Sequence, residues 1–343
     1  MKSTFRLLII VFALLLALDA VYAGGGNRTG TGGATQLLIP VGPRGIAMGE
    51  ANVATAYGVE ALFWNPAGVA KLSGSTSVMF SHMNYIADIG VEYGAVSANL
   101  EGFGVLSLSL KSLSIGDILV TTTQDPDGTG DTFKPQMLTA GLSYSRQLTE
   151  RISVGLTANF VTETLGRVSA SGVAFNVGVI YDDLADVNGL SIGLVMKNVG
   201  PQMKYDGSGL AIQADVEDFN RTPQYYKVDS APFEMPSTFE IGLGYKPVLD
   251  DINTLQFAGA FQNNNFSGDE YKLGAEYGYD NTFFARLGYQ MAPQVDSENY
   301  LYGFTAGAGI NYQLEGIALR VDYAYRDAQY FGGNHVFALS LGF

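Results

Sequence analysis

From Ser75 onward, hydrophobic and polar residues alternate with period two, the repeat of a β-strand rather than a helix. In 301–312, Tyr302, Phe304, Ala306, Ala308, Ile310 and Tyr312 fall on one face, and Gly303, Thr305, Gly307, Gly309 and Asn311 on the other. In 317–326, Ile317, Leu319, Val321, Tyr323 and Tyr325 oppose Arg320, Asp322 and Arg326. Phe239, Ile241, Leu243 and Tyr245 likewise oppose Glu240, Gly242 and Gly244. The pattern predicts fourteen strands: 75–85, 90–100, 102–113, 136–147, 151–165, 170–181, 189–199, 236–246, 252–263, 269–279, 282–291, 300–312, 315–327 and 334–343. Boundaries read this way also admit twelve or sixteen.

Two architectures give such alternation. A sandwich buries its apolar face, whereas an outer-membrane barrel turns that face to lipid and encloses the polar one. Segments of about ten residues suit a tilted membrane crossing better than a sandwich strand. Tyr85, Tyr93, Tyr181, Tyr245, Tyr279 and Tyr312 stand near strand ends, where an aromatic girdle belongs. Connections after even-numbered strands are mostly short, while 114–135 and 200–235 follow odd-numbered ones. Short turns at one end and long loops at the other are the barrel arrangement, with both termini on the short-turn, periplasmic side. The expected fold is therefore all-β, a single transmembrane antiparallel barrel over 75–343. Closure must pair the last strand with the first, because an open edge in hydrocarbon leaves amides unpaired.

Residues 1–23 carry Lys2 and Arg6, an apolar run from Leu7 to Leu18, and Val21 and Ala23 before a cleavage point. This is the pattern of a secretory signal peptide. Residues 24–74 are not strand-like and are read as a plug folded into the lumen at the periplasmic end, with a short helix from about Arg44 to Tyr57. Pro66 should stop any helix near Asn65, whose amide is expected to bond local backbone. Trp64 is expected to anchor that turn against the wall.

The formal charge of −14 disfavours nucleic acid as a partner. The absence of cysteine rules out thiol catalysis and thiolate metal sites. His82 and His335, without a nucleophile elbow or carboxylate motif, make no catalytic case, and no motif implies a cofactor. Asp125, Asp127 and Asp131 match a calcium loop poorly, since Gln136 stands where the twelfth-position glutamate belongs. Glu240, Lys272, Glu276, Arg286, Arg320, Asp322 and Arg326 all fall on the polar parity, so they should pair inside the lumen, as a brace or as a selectivity constriction. The acidic loop 200–235 carries Phe219, Tyr225, Tyr226 and Phe233, either as a partner surface or as a self-packed cap.

The stretch 44–72, RGIAMGEANVATAYGVEALFWNPAGVAKL, resembles the N-terminal signature of the PorV/PorQ family, whose barrels are related in architecture to FadL-type transporters. The resemblance rests on Arg44, Met48 and Gly49, on Ala51 to Ala54, and above all on Trp64, Asn65, Pro66, Ala67 and Gly68. The last strand, with Phe337, Leu339, Leu341 and a final Phe343, resembles the signal read by the barrel-assembly machinery. The resemblance implies a type IX secretion component that receives secreted cargo and hands it on. The FadL-type architecture implies instead a carrier of hydrophobic small molecules, with an apolar pocket between plug and wall. A barrel with neither activity is the third possibility.

Overall fold

The computed structural model describes residues 28–214, 224–296 and 299–343. The signal-peptide reading and Phe219 lie outside the described residues. Fourteen antiparallel strands close into one barrel. They are β1 (Thr76–Asn84), β2 (Gly90–Leu100), β3 (Gly104–Ser114), β4 (Gln136–Gln147) and β5 (Ile152–Leu165). Next come β6 (Val168–Tyr181), β7 (Leu190–Val199), β8 (Thr238–Tyr245), β9 (Asn253–Asn264) and β10 (Glu270–Tyr279). The last four are β11 (Phe283–Met291), β12 (Tyr302–Leu314), β13 (Ile317–Ala328) and β14 (Asn334–Gly342). No helix of the described residues is long and apolar enough to cross a membrane.

Outside two irregularities, the strands obey the period-two rule. In β3, Leu106, Leu108 and Leu110 are exposed on the outer surface, whereas Ser107 and Lys111 are buried within. Small inward hydroxyls satisfy one another across the ladder, as Ser107 does with Ser97 at 2.8 Å and Ser143 with Thr157 at 2.7 Å. β14 pairs with β1 from Ser77↔Gly342 to Asn84↔His335. The Phe343 N–H donates to the Thr76 carbonyl at 2.8 Å, and its own carbonyl accepts from Ser75 N–H at 2.7 Å. The seam is therefore bonded to the last residue. We call this end, where β1 begins and β14 finishes, the base, and the end with the long connections the mouth.

Two irregularities break the parity. Between β12 and β13 the register shifts between Tyr302 and Thr305, so Tyr302 pairs with Ala328. The extra residue of such a bulge reverses the facing of everything beyond it. Tyr302 therefore turns inward rather than outward, with the Arg326 guanidinium 3.8 Å from its ring centre. Its hydroxyl meets that of Tyr85 at 2.8 Å, which removes Tyr85 from the expected girdle. Tyr93 is removed as well, being buried in the lumen. Tyr279 and Tyr312 stay exposed outside. The second shift lies between Phe175 and Val177 of β6. Opposite it Asn198 adopts a left-handed φ of 60°, and its N–H donates to Asn176 Oδ1 at 2.8 Å.

The N-terminal residues do not stay at the base. They run the height of the lumen. Arg28 pairs with Glu234 in the mouth loops at 2.7 Å, and Lys71 with Asp182 in the turn after β6 at 2.7 Å. The expected helix from Arg44 to Tyr57 reduces to Pro43–Ala47. Gly49 and Glu50 then take φ values of +62° and +60°, which an α-helix cannot continue.

Candidate functional site

Inward glycines set how closely the luminal segment approaches the wall. A side chain at Gly274 would lie 2.3 Å from the Met48 carbonyl oxygen, and one at Gly288 would lie 2.0 Å from the Gly49 nitrogen. Gly274 and Gly288 face each other in register. Backbone thus packs on backbone, and Thr305 completes the seat. Its hydroxyl accepts from Gly49 N–H and donates to the Ala47 carbonyl, both at 3.0 Å.

The 64–68 motif is seated at the base in the same way. The short helix Ala61–Trp64 ends where Asn65 becomes extended, and Pro66 opens a 3-10 helix to Lys71. Pro66 stops one helix and starts another, since its missing N–H costs nothing at a first position. Asn65 Oδ1 accepts from Ala67 N–H at 3.1 Å as the cap. Its amide donates to the Val53 carbonyl at 2.9 Å and approaches the wall carbonyl of Val179 at 3.3 Å. Ser145 of β4 donates to the Pro66 carbonyl at 2.7 Å. A side chain at Gly178 would meet Asn65 Oδ1 at 1.9 Å, and one at Gly68 the Ala56 carbonyl at 2.1 Å. Trp64 is fully buried, edge-on to Phe63 with ring centres 5.0 Å apart.

The inward charges fall into three groups of ion pairs, each completed by one residue from outside β8–β14. Glu276 joins Arg286 at 2.5 Å and Arg44 of the luminal segment at 2.9 Å. Arg286 reaches Asp322 at 2.8 Å, and Asp322 reaches Arg320 at 2.7 Å. In the second group Glu50 of the luminal segment lies between Arg326 at 2.7 Å and Lys272 at 3.4 Å, with Glu270 3.5 Å from Lys272. Glu240 stands apart from both and pairs with Lys197 of β7 at 2.5 Å. Lys197 shares the parity of Gly193 and Val195, so the same alternation could have found it. Arg44 and Glu50 sit on a segment without periodicity, and nothing in the strand pattern assigns them.

Toward the mouth end of β3, β4 and β7, a cavity of about 30 Å³ is bordered by Phe63, Tyr93, Lys111, Thr139, Asn159 and Lys197. Its lining is more polar than the apolar pocket a hydrophobic carrier requires.

At the mouth, strands 211–214 and 224–227 form a separate hairpin. Tyr225 is 78% exposed and Tyr226 is exposed beside it. Phe233 does not join them. It turns inward, 5.3 Å from the Tyr205 ring and against Gly33 of the luminal segment. The Lys227 ammonium, bonded to Asp206, holds that carboxyl below the usual range and ties the hairpin to the loop beneath it. Asp125, Asp127 and Asp131 do not converge: among the described residues no group of three acids or histidines could hold a metal. Phe337, Leu339 and Phe343 are exposed on the outer face, alternating with buried Val336 and Ala338, and Leu341 is half-buried on the same outward parity. His82 bonds Glu92 at 2.6 Å, and His335 meets the Tyr323 hydroxyl at 2.9 Å on the outer face.

The profile of the type IX secretion system protein PorV matches residues 23–264. The chain belongs to the PorV family. That match spans both the luminal segment and the first nine strands of this PorV-family barrel. No curated protein matches the chain. Among solved structures, the Pseudomonas putida toluene transporter TodX is similar at 13% identity, with a TM-score of 0.54 over 88% of this chain and 98% of its own. The Ralstonia pickettii toluene transporter TbuX is similar at 13% identity, TM-score 0.52, over 88% and 97%. A Pseudomonas aeruginosa FadL homologue is similar at 12% identity, TM-score 0.50, over 88% and 98%. At such identity the likeness establishes a shared FadL-type barrel fold and no shared substrate. The PorV-family barrel is thus an outer-membrane barrel linked to the type IX secretion system.

Proposed function

We propose that this PorV-family barrel binds secreted cargo, and a secretion-channel protein, through its mouth loops and hands the cargo on for attachment at the cell surface. The observation that carries the reading is the filled lumen. The luminal segment is fixed at the mouth by Arg28, at mid-height by Arg44 and Glu50, and at the base by Lys71. Residues 24–74 act as a plug in this reading, and the inward charges brace it rather than select ions. Work then falls to the exposed surface at the mouth, where Tyr225 and Tyr226 stand out on the end that also carries the loop 114–135. Large, half-rigid aromatics are the side chains that partner surfaces use as anchors. Residues 1–23 direct export and are removed, and the mouth faces outward.

Deleting 205–230 tests this. The tagged barrel is expected to fold and to lose capture of cargo and channel in pull-downs from the native membrane. Undiminished capture would rule the loop out. The terminal strand serves in this reading as the assembly signal, with outer-membrane lipid against Phe337, Leu339, Leu341 and Phe343. Removing Phe343 is expected to cut assembled barrel several-fold, measured as heat-modifiable protein in outer-membrane fractions.

Transport of a hydrophobic small molecule draws less support. A dry cavity that holds benzene measures about 150 Å³, and the cavity beside Lys111 is about 30 Å³ and polar.

A further inference from the structure

The guanidinium groups cluster on β11 and β13, with Arg44 reaching them from the luminal segment. The opposite wall carries a buried lysine without an acid partner. Lys111 of β3 is 4% exposed and faces the lumen. Its ammonium donates to the Ile39 carbonyl at 3.0 Å and stands 4.9 Å from the Phe63 ring centre. Among the described residues no carboxylate pairs with it. Lys197 stands 5.0 Å from the same ring, and its acid, Glu240, is already engaged. Two lysines thus border one cavity, and the one carboxylate engaged there, that of Glu240, pairs with Lys197 alone.

A buried ammonium has three donors, and one carbonyl satisfies one of them. An unneutralised buried charge is costly. Thr139 lies directly across from Lys111 in the β3–β4 register. Its hydroxyl is buried, borders the cavity and has no hydrogen-bond partner. We propose that this cavity binds a small monovalent inorganic anion of chloride size, held by the Lys111 ammonium and the Thr139 hydroxyl, with Lys197 adding attraction.

Volume limits the size of the occupant, and the lysine without an acid partner sets the sign of its charge. A site needs roughly 10–15 Å³ to take one water-sized particle and about 150 Å³ to take benzene. The cavity's 30 Å³ admits a single halide and excludes an acyl chain. A bound anion ties β3 and β4 to the plug at Ile39 and Phe63, on the side that the guanidinium–carboxylate groups do not reach.

Bromide is the probe. The full mature barrel in detergent is heated in sodium bromide and in sodium gluconate at equal ionic strength, which removes general screening. Unfolding is followed by Trp64 emission. Wild type is expected to gain a saturable rise of a few degrees in bromide, since a ligand of the folded state stabilises it by mass action. Lys111→Met is expected to lose that rise and Thr139→Val to reduce it. Crystals grown in bromide are expected to give an anomalous peak within hydrogen-bond reach of Lys111 Nζ. Equal midpoints for wild type in the two salts, or a rise kept by Lys111→Met, would overturn the proposal. So would a cavity without an anomalous peak, a measurement that stands even if Lys111→Met does not fold. Stoichiometric fatty acid extracted from wild type and absent from Thr139→Val would overturn it in favour of an acyl carboxylate.

Discussion

Glu276→Gln is expected to destabilise the folded barrel by about 3–5 kcal/mol, the cost of breaking a buried ion pair from one side. Glu276 is the one carboxylate shared by Arg286 of the wall and Arg44 of the plug, at 2.5 and 2.9 Å. Both arginines are almost wholly buried. A neutral amide leaves them unequal. Arg286 keeps Asp322 at 2.8 Å, whereas Arg44 keeps no paired acid, but the neutral oxygens of Gln256 at 3.0 Å and Thr55 at 3.2 Å and the Tyr57 ring 4.7 Å away. The loss therefore falls on the plug first. Trp64 is the only tryptophan of the chain and sits buried in the plug, so its emission reports plug and not wall. In urea titrations of barrels in lipid vesicles, the Trp64 transition is expected to move to lower urea ahead of the loss of heat-modifiable migration. Removing both partners, as Glu276→Gln with Arg44→Met, is expected to recover most of the loss, because the stranded charge goes with its acid. An unchanged Trp64 midpoint in the single variant would show that Arg44 is not held through Glu276.

How far such a network can be read in advance depends on which element carries each member. The strands declare themselves by parity, and the fourteen spans, the closing pair and the inward facing of Glu276, Arg286 and Asp322 all follow from it. Parity fails where a neighbouring strand sets the spacing. Tyr302 reads as outward, and a bulge whose cause lies in its pairing with β13 turns it inward. It fails altogether for the plug, which has no period. Gly49 and Glu50 look like helix continuation but take left-handed backbone because they cross the wall at Gly274 and Gly288. Glu50 then becomes the shared acid of Arg326 and Lys272, a role set by tertiary contact alone. Phe233 reads as an exposed loop aromatic for the same reason: the residue it covers, Gly33, lies 200 positions away in sequence.

Gly288→Leu is expected to open the barrel. Gly288 and its register partner Gly274 leave a shelf two side chains wide, and Met48 and Gly49 lie in it. Even a Cβ at 288 would stand 2.0 Å from the Gly49 nitrogen and 2.4 Å from the Met48 carbonyl carbon, so something must move. The wall cannot, because β11 is hydrogen-bonded to β10 and β12 along its length. The plug can. Its short helices have no ladder of their own, and losing the Gly49 and Ala47 bonds to Thr305 frees the stretch that also carries Glu50. Overpacking a well-filled site commonly costs about 1–3 kcal/mol by itself, and here it acts on the segment that occupies the lumen. Wild type in planar lipid bilayers is expected to be closed, and Gly288→Leu to give stable ion-conducting channels with red-shifted Trp64 emission. Gly94→Leu is the control, because a Cβ there meets nothing within 4 Å. It is expected to stay closed. A Gly288→Leu barrel that assembles, stays closed and keeps the wild-type Trp64 emission would mean that the plug is not seated on this shelf.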